Sequence, residues 1–258
     1  MKDDGDRSLK PLTWYKELST RKGRLTAGAF LVEGQRAIGQ VIRSSPGSII
    51  EVLYTGDQPY HYGNYPLRPL TGTRMQSISS ASTSQGIIAV VRLPADTDSD
   101  HLPGEAGHRV LLLEDIQDPG NVGTLIRTAA AFDYSGVILT DKCADPFSPK
   151  CIQSTAGSAL SLWIRRTAAY LDLIDELKRR GHRLVAADLG GAEDTSVLAG
   201  LDNLVLALGN EAAGLSSALL DKSDHRIMIP MAGAKVQSLN VAACGAICIY
   251  LSRREIKK

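Results

Sequence analysis

The chain has 258 residues, a formal net charge of +1, 43% hydrophobic and 5% aromatic residues, which suits one large domain or two modest ones with an aliphatic core. No apolar run approaches the roughly 18 residues a membrane span needs, and the charged start MKDDGDRSLK has no apolar signal segment, so a cytoplasmic protein is expected. The four cysteines form no C-x-x-C pair and the five histidines show no ligand spacing, so no metal centre is expected.

In chain order, a helix is predicted near Leu12–Lys22, a short strand at Phe30–Val32, a helix over Gln35–Arg43 and a strand over Ile49–Tyr54. The stretch GDQPYHYGNYPLRPL is turn-rich, a weaker helix or a loop follows, and the strand Ile87–Arg92 completes a small α/β unit. Between Lys10 and Arg43 seven basic residues stand against two acidic ones. A solvated helix face explains such an excess, and so does an acidic partner. At Pro94–Arg109 the composition turns to proline, glycine and acids between two apolar runs. This predicts a first domain over 1–95, a linker over 96–108 and a second domain over 109–258.

The second part alternates. VLLLEDI, from Val110, is a near-continuous apolar run, as a strand buried on both faces would be. GTLIRTAAAF has helical spacing, GVILT is a strand, and a small-residue helix is expected at Pro149–Ala159, ahead of SLWIRR. YLDLIDELKRRG is an amphipathic helix stopped by Gly181. HRLVAAD, NLVLALG and HRIMI are three more strands, and VAACGAICIYL is an apolar closing segment. In it Cys244 and Cys248, four apart, share a face if it is helical, and read as small buried hydrophobes. The alternation predicts a parallel sheet with helices on both faces.

Ligands of such sheets bind beyond the carboxyl ends of the strands. After three strands come QDPGNVGTLIR, NEAAGLS and PMAGAKVQSLN, all rich in residues that let a ligand approach bare backbone. One such loop is an ordinary turn; three on one sheet point to a shared ligand site. Familiar alternatives lack their signatures. Gly120 and Gly123, or Gly209 and Gly214, do not make a G-x-G-x-x-G turn, and Gly214 is followed by Leu215 and Ser216 rather than a phosphate-loop Lys-Ser. No G-x-S-x-G surrounds Ser154, Ser158 or Ser238.

DPGNVGTLIRTAAAF, LGNEAAGLS and IPMAGAKVQSLNVAAC resemble, in order, the three motifs of the SpoU (TrmH-type) RNA ribose 2′-O-methyltransferases of the SPOUT superfamily. FLVEGQRAIGQVI and SQGIIAVV resemble more loosely the ribosomal-protein-like, RNA substrate-binding α/β domain that precedes many of them. The resemblance implies a parallel-sheet SPOUT domain with a deep trefoil knot, in which the last stretch threads through another loop. Small residues at Ala232, Gly233 and Ala234 suit that crossing. It also implies a bent S-adenosylmethionine held by the knotted loops: by Leu208 and Gly209, Ile229 and Met231, Ser238 and Leu239, with Ala187 lining the pocket.

The implied reaction moves a methyl group to a ribose 2′-hydroxyl. By motif position Arg127 is the catalytic arginine; a guanidinium is a reluctant base, and clamping a phosphate and stabilising the developing alkoxide suits it better. Asn121, Ser238 and Asn240 would orient the nucleotide and Arg127, and Glu211 the second loop. As plain structural features, Asn121 is a helix cap, Ser238 an N-cap and Arg127 a surface charge. The resemblance further implies a homodimer, with the apolar helix Val241–Leu251 as a plausible interface. Ribosomal RNA is the expected substrate, with Arg21, Lys22, Arg24 and Arg36 as phosphate contacts. The alternatives are the same chemistry on transfer RNA, or a non-catalytic RNA-binding or ribosome-assembly protein of this fold; a nicotinamide oxidoreductase is disfavoured.

Overall fold

The computed structural model describes residues 10–191, 194–232 and 238–253. The chain divides into two compact units, one of residues 1–93 with 147–149, the other of 94–146 with 150–258.

In the first unit α1 (Leu12–Glu17) and α2 (Arg21–Ala27) lead into β1 (Ala29–Glu33), α3 (Gln35–Ser44), β2 (Ile49–Tyr54), β3 (Leu67–Pro69), α4 (Gly72–Ile78) and β4 (Ile87–Arg92). The sheet order is β1-β4-β2-β3, with β4 antiparallel to both neighbours and β3 parallel to β2. Tyr15, Leu18, Leu53, Met75, Ile88 and Val90 fill its core. β3 arises within the turn-rich stretch, where no strand is predicted, and α4 takes the place ahead of β4 where a weaker helix or a loop is expected. The single helix expected over Leu12–Lys22 is two. Thr20 interrupts it, because its hydroxyl accepts from Gly23 N (3.0 Å) and caps α2. Arg24 turns inward and donates to the carbonyls of Leu18 and Ser19, both at 2.9 Å. It is buried, so the expectation that it meets an RNA phosphate fails: its donors satisfy the end of α1 instead. Arg21, Lys22 and Arg36 are exposed.

The second unit runs β5 (Arg109–Leu113), α5 (Pro119–Ala131), β6 (Gly136–Leu139), α6 (Pro149–Thr155), β7 (Trp163–Arg166), α7 (Tyr170–Arg179), β8 (Arg183–Ala187), β9 (Leu204–Leu208), α8 (Ser217–Lys222), β10 (His225–Ile227) and α9 (Val241–Leu251). All six strands are parallel, in the order β10-β8-β9-β5-β6-β7. Central β5 and β9 are buried throughout, as their unbroken apolar runs require. Val110, Leu112, Val205 and Ala207 face α7 and α8. Leu208 has the opposite parity and meets α9, where a Cβ on Gly245 would stand 2.6 Å from Leu208 and 2.3 Å from Leu125 of α5. Both faces are therefore covered. The helix expected at Pro149–Ala159 stops at Thr155, because Ala156 (φ 50°) and Gly157 (φ 88°) turn left-handed. Among the described residues no helix is long and apolar enough to cross a membrane, and no cluster of side chains could hold a metal ion.

The stretch read as a linker lies along the edge strand of this sheet. Arg166 N donates to Thr97 O (2.7 Å), Trp163 Nε1 to Ala106 O (3.0 Å) and Arg165 Nε to His101 O (2.8 Å), while Arg165 also pairs with Asp96 at 2.6 Å. At the opposite edge Asp224 immediately precedes β10. Its carboxylate accepts from Leu184 N (2.8 Å) and meets Lys178 (3.1 Å) and Arg183 (3.2 Å). Burial pushes the Asp224 carboxyl up, but these three partners outweigh it and hold it below its ordinary value of 3.8. Because the native value is depressed, this stabilisation is complete above that pH and fades as the pH falls through the native value. Asp224→Asn is expected to lose about 1 to 3 kcal/mol at neutral pH. Urea unfolding measured down the pH scale should show the gap to wild type closing below about pH 3.8.

Candidate active site

Strand order reverses between β5 and β9, since the chain builds β5, β6 and β7 outward and then returns to lay β9 on the other side of β5. Crevices at such reversals take ligands at the carboxyl ends of the strands. Three loops meet there.

The first follows β5. Glu114 is buried and accepts from Ser216 N (2.7 Å), Ser216 Oγ (2.6 Å) and Tyr170 Oη (2.5 Å). Burial, with Glu114 next, pushes the Tyr170 hydroxyl up to about 12, so it stays a donor. Asp115 holds a left-handed backbone (φ 56°), braced by Thr140 on its side chain (2.7 Å) and N–H (2.9 Å) and by Asn210 on its carbonyl (2.9 Å). Asp118, not Asn121, caps α5, accepting from Asn121 N at 3.0 Å. Lys150, 3.0 Å away, holds the Asp118 carboxyl below its ordinary value, helped by that N–H.

The second loop, Gly209–Ser216, closes on itself. Asn210 and Gly214 exchange backbone hydrogen bonds of 3.1 and 2.9 Å, and Asn210 Oδ1 accepts from Ala212 N and Ala213 N. A Cβ on Gly209 would lie 2.4 Å from the Gly214 carbonyl carbon and 2.6 Å from Leu215 N. Only glycine fits there.

The third loop follows β10. Residues 233–237, with the expected Gly233 and Ala234 of the crossing, lie outside the described residues; Ala232 is exposed. Asn240, not Ser238, caps α9, accepting from Ala242 N (2.9 Å) and Ala243 N (3.3 Å). Its amide donates to Asn121 Oδ1 (3.2 Å), and the Asn121 amide donates to Glu211 Oε1 (2.6 Å). One relay thus joins all three loops.

Beside the relay, at the carboxyl ends of β8, β9 and β10, a cavity of about 280 Å³ opens. Ala187, Leu208 and Gly209 line it, as do Ile229, Met231, Ser238 and Leu239, so all seven residues assigned to the cofactor face one space. Glu211 lines it as well; Asn121, Asn240 and Arg127 do not. Arg127 is exposed on α5, with no side-chain hydrogen bond or ion pair among the described residues. Helix geometry places it about 9 Å along α5 and about 120° around it from Asn121, so this chain does not bring the two side chains together. Sequence reasoning missed Glu114, Asn210 and Asp118. An acid closing an apolar strand signals the first, and an Asx residue just before a helix the last.

A parallel sheet with a reversal crevice, glycine-walled and tied by carboxamides, defines a nucleotide-type ligand site. Residues 108–250 match the SpoU rRNA Methylase family, and the chain belongs to that family. It is 32% identical to the 23S rRNA (guanosine(2553)-2′-O)-methyltransferase RlmP of Bacillus subtilis, over 92% of this chain and 93% of the relative. It is 30% identical to the 23S rRNA (uridine(2479)-2′-O)-methyltransferase of Streptomyces viridochromogenes, over 94% and 88% of the two chains. The structure is similar to that of the SpoU methyltransferase AviRb from Streptomyces viridochromogenes in complex with the cofactor AdoMet. The TM-score is 0.81 at 28% identity, covering 93% of this chain and 96% of that one.

The wall at Gly209 gives a direct test. Gly209→Ala should destabilise the protein by about 1 to 3 kcal/mol through forced backbone movement. Gly200→Ala, where a Cβ meets nothing within 4 Å, serves as the control. Thermal unfolding of both variants checks this; equal midpoints would show that the loop gives way freely.

Proposed function

We propose that this chain transfers the methyl group of S-adenosylmethionine to a ribose 2′-hydroxyl of ribosomal RNA. The observation that carries the reading is the cavity itself: the six motif residues assigned to the cofactor line it, and so does Ala187 at the end of its strand. The residues fit the group. At about 280 Å³ the space is near the lower end of ligand pockets, about 300 Å³. Leu208, Ile227 and Val241 offer apolar surface for a base, and the bare backbone at Gly209 can approach a ligand closely. When bound, S-adenosylmethionine supplies an electrophilic methyl group.

The chain's own residues do the rest. The Asn121–Glu211–Asn240 relay fixes the rim where the nucleotide enters, and a fixed geometry is worth several kcal/mol in an in-line transfer. Arg127 presents its guanidinium to solvent on α5, free to hold a backbone phosphate and to stabilise the oxygen as its proton leaves. Ala243, Ile247 and Tyr250 form an exposed stripe at i, i+4 and i+7 on α9. That stripe supports a homodimer, in which a second copy would bring further groups towards Arg127. The first unit is assigned to RNA binding, with Arg21, Lys22 and Arg36 as phosphate contacts. A threaded third loop is part of the same reading, as the family motifs imply. The relatives named above act on 23S ribosomal RNA, which favours that substrate and the cytoplasm as its place.

Arg127→Ala should abolish methyl transfer while leaving S-adenosylmethionine affinity within about twofold, since it removes only transition-state contacts. Asn121→Ala should behave similarly but less severely. Radiolabelled transfer to total RNA, with calorimetric cofactor binding, checks both; loss of binding in a folded Arg127 variant would remove Arg127 from this role. Mapping ribose methylations missing from a deletion strain identifies the substrate, and a loss confined to transfer RNA would overturn the ribosomal assignment. Light scattering at micromolar concentration should report a dimer.

A further inference from the structure

Of the described residues lining the cavity, only Asp188 and Glu211 carry a formal charge, and both are acids. Glu211 is engaged by the Asn121 amide. Asp188, the first residue after β8, is half-buried, and among the described residues its carboxylate has no hydrogen-bond or ion-pair partner. Its backbone is pinned: Asp188 N donates to Ile227 O (3.0 Å) and Gly191 N to Asp188 O (3.0 Å). Its Oδ2 sits 3.1 Å from where a Cβ on Gly190 would stand, so the carboxylate folds over a glycine that leaves it room. A half-buried carboxylate at the wall of a cavity with more apolar than polar lining is less screened than one in bulk water and favours a cation beside it.

We propose that Asp188 makes the cavity selective for the charge of the methyl donor, favouring the sulfonium form over the neutral thioether left after transfer. This rests on the S-adenosylmethionine reading above. Donor and product share the adenosine and amino-acid ends and differ by one methyl group and one positive charge. As the methyl carbon bonds to the ribose oxygen, the carbon–sulfur electron pair stays on sulfur and the hydroxyl proton passes to solvent. The ligand in the cavity then carries one positive charge less, and the attraction to Asp188 falls at the moment the product must leave. A carboxylate that only accepted hydrogen bonds from the shared adenosine would hold both ligands equally.

Calorimetry on the full chain separates these cases, with three ligands: S-adenosylmethionine, S-adenosylhomocysteine, and sinefungin, whose amine puts a cation near the place of the sulfonium. Asp188→Asn should weaken S-adenosylmethionine and sinefungin by about tenfold, as loss of one partly desolvated charge contact implies, and leave S-adenosylhomocysteine within about twofold. Asp188→Glu, which keeps the charge, should retain most of the preference, and unchanged melting temperatures should show both variants folded. Equal weakening of all three ligands, or of none, would overturn the charge-selective role and leave the cofactor reading intact. Failure of wild type to bind any of the three would overturn both.

Discussion

Two amide hydrogen bonds hold the functional end of this sheet together. Asn121, Glu211 and Asn240 are about ninety and thirty residues apart in sequence, yet Asn121 donates to Glu211 while accepting from Asn240. A carboxamide does both at once, whereas aspartate at 121 would repel Glu211 and an apolar side chain would leave both neighbours without this partner. Each end of the relay is anchored in turn. Asn240 spends its oxygen on the first N–H groups of α9, and Asn121 sits in the first turn of α5 under the Asp118 cap. The two helices that pack against each other on one face of the sheet therefore have their N-termini set by the same small group of side chains.

Beneath the relay lies a buried layer that fixes the loops from below. A carboxylate out of water is costly unless its oxygens are satisfied, and Glu114 satisfies both with Ser216 and Tyr170. The start of α8 is thereby locked to the end of β5. Asp115 next to it bears a backbone conformation that costs on the order of 1 kcal/mol or more for a residue with a side chain. Thr140 and Asn210 hold it there, and the distortion turns the chain from strand to loop where the first motif begins.

Much of this was legible before any coordinates. The unbroken apolar runs of β5 and β9 announced strands buried on both faces, and Gly181 (φ 91°) ends its helix as its position predicted. The loop cluster was legible because three turn-rich stretches each followed such a strand. What periodicity could not show was the purpose of individual polar groups. The chain from Leu12 to Lys22 reads as one helix until Thr20 takes the N–H of Gly23, and Arg24 reads as surface charge until it is found satisfying carbonyls. Glu114 looks like the acidic end of a strand, although its partners are about 56 and 102 residues away. Motif position alone groups Arg127 with Asn121, while the turn of the helix sets them on different sides.

The strap from Asp96 to Ala106 carries a consequence for dissection of the molecule. An open sheet edge offers unpaired N–H and C=O groups to any passing strand, and folded proteins cover or blunt such edges. Here the far edge is only three residues long at β10, and the near edge at β7 is covered by the strap, which takes the backbone N–H of Arg166 on Thr97 O and the side chains of Arg165 and Trp163 on the carbonyls of His101 and Ala106. A fragment cut at residue 108, which composition alone would suggest, removes that cover. It strands the buried Arg165 guanidinium without Asp96 and leaves β7 open to self-association. A fragment beginning at Pro94 keeps the edge closed, so the place to divide this protein is set by aggregation rather than by where the sequence turns polar.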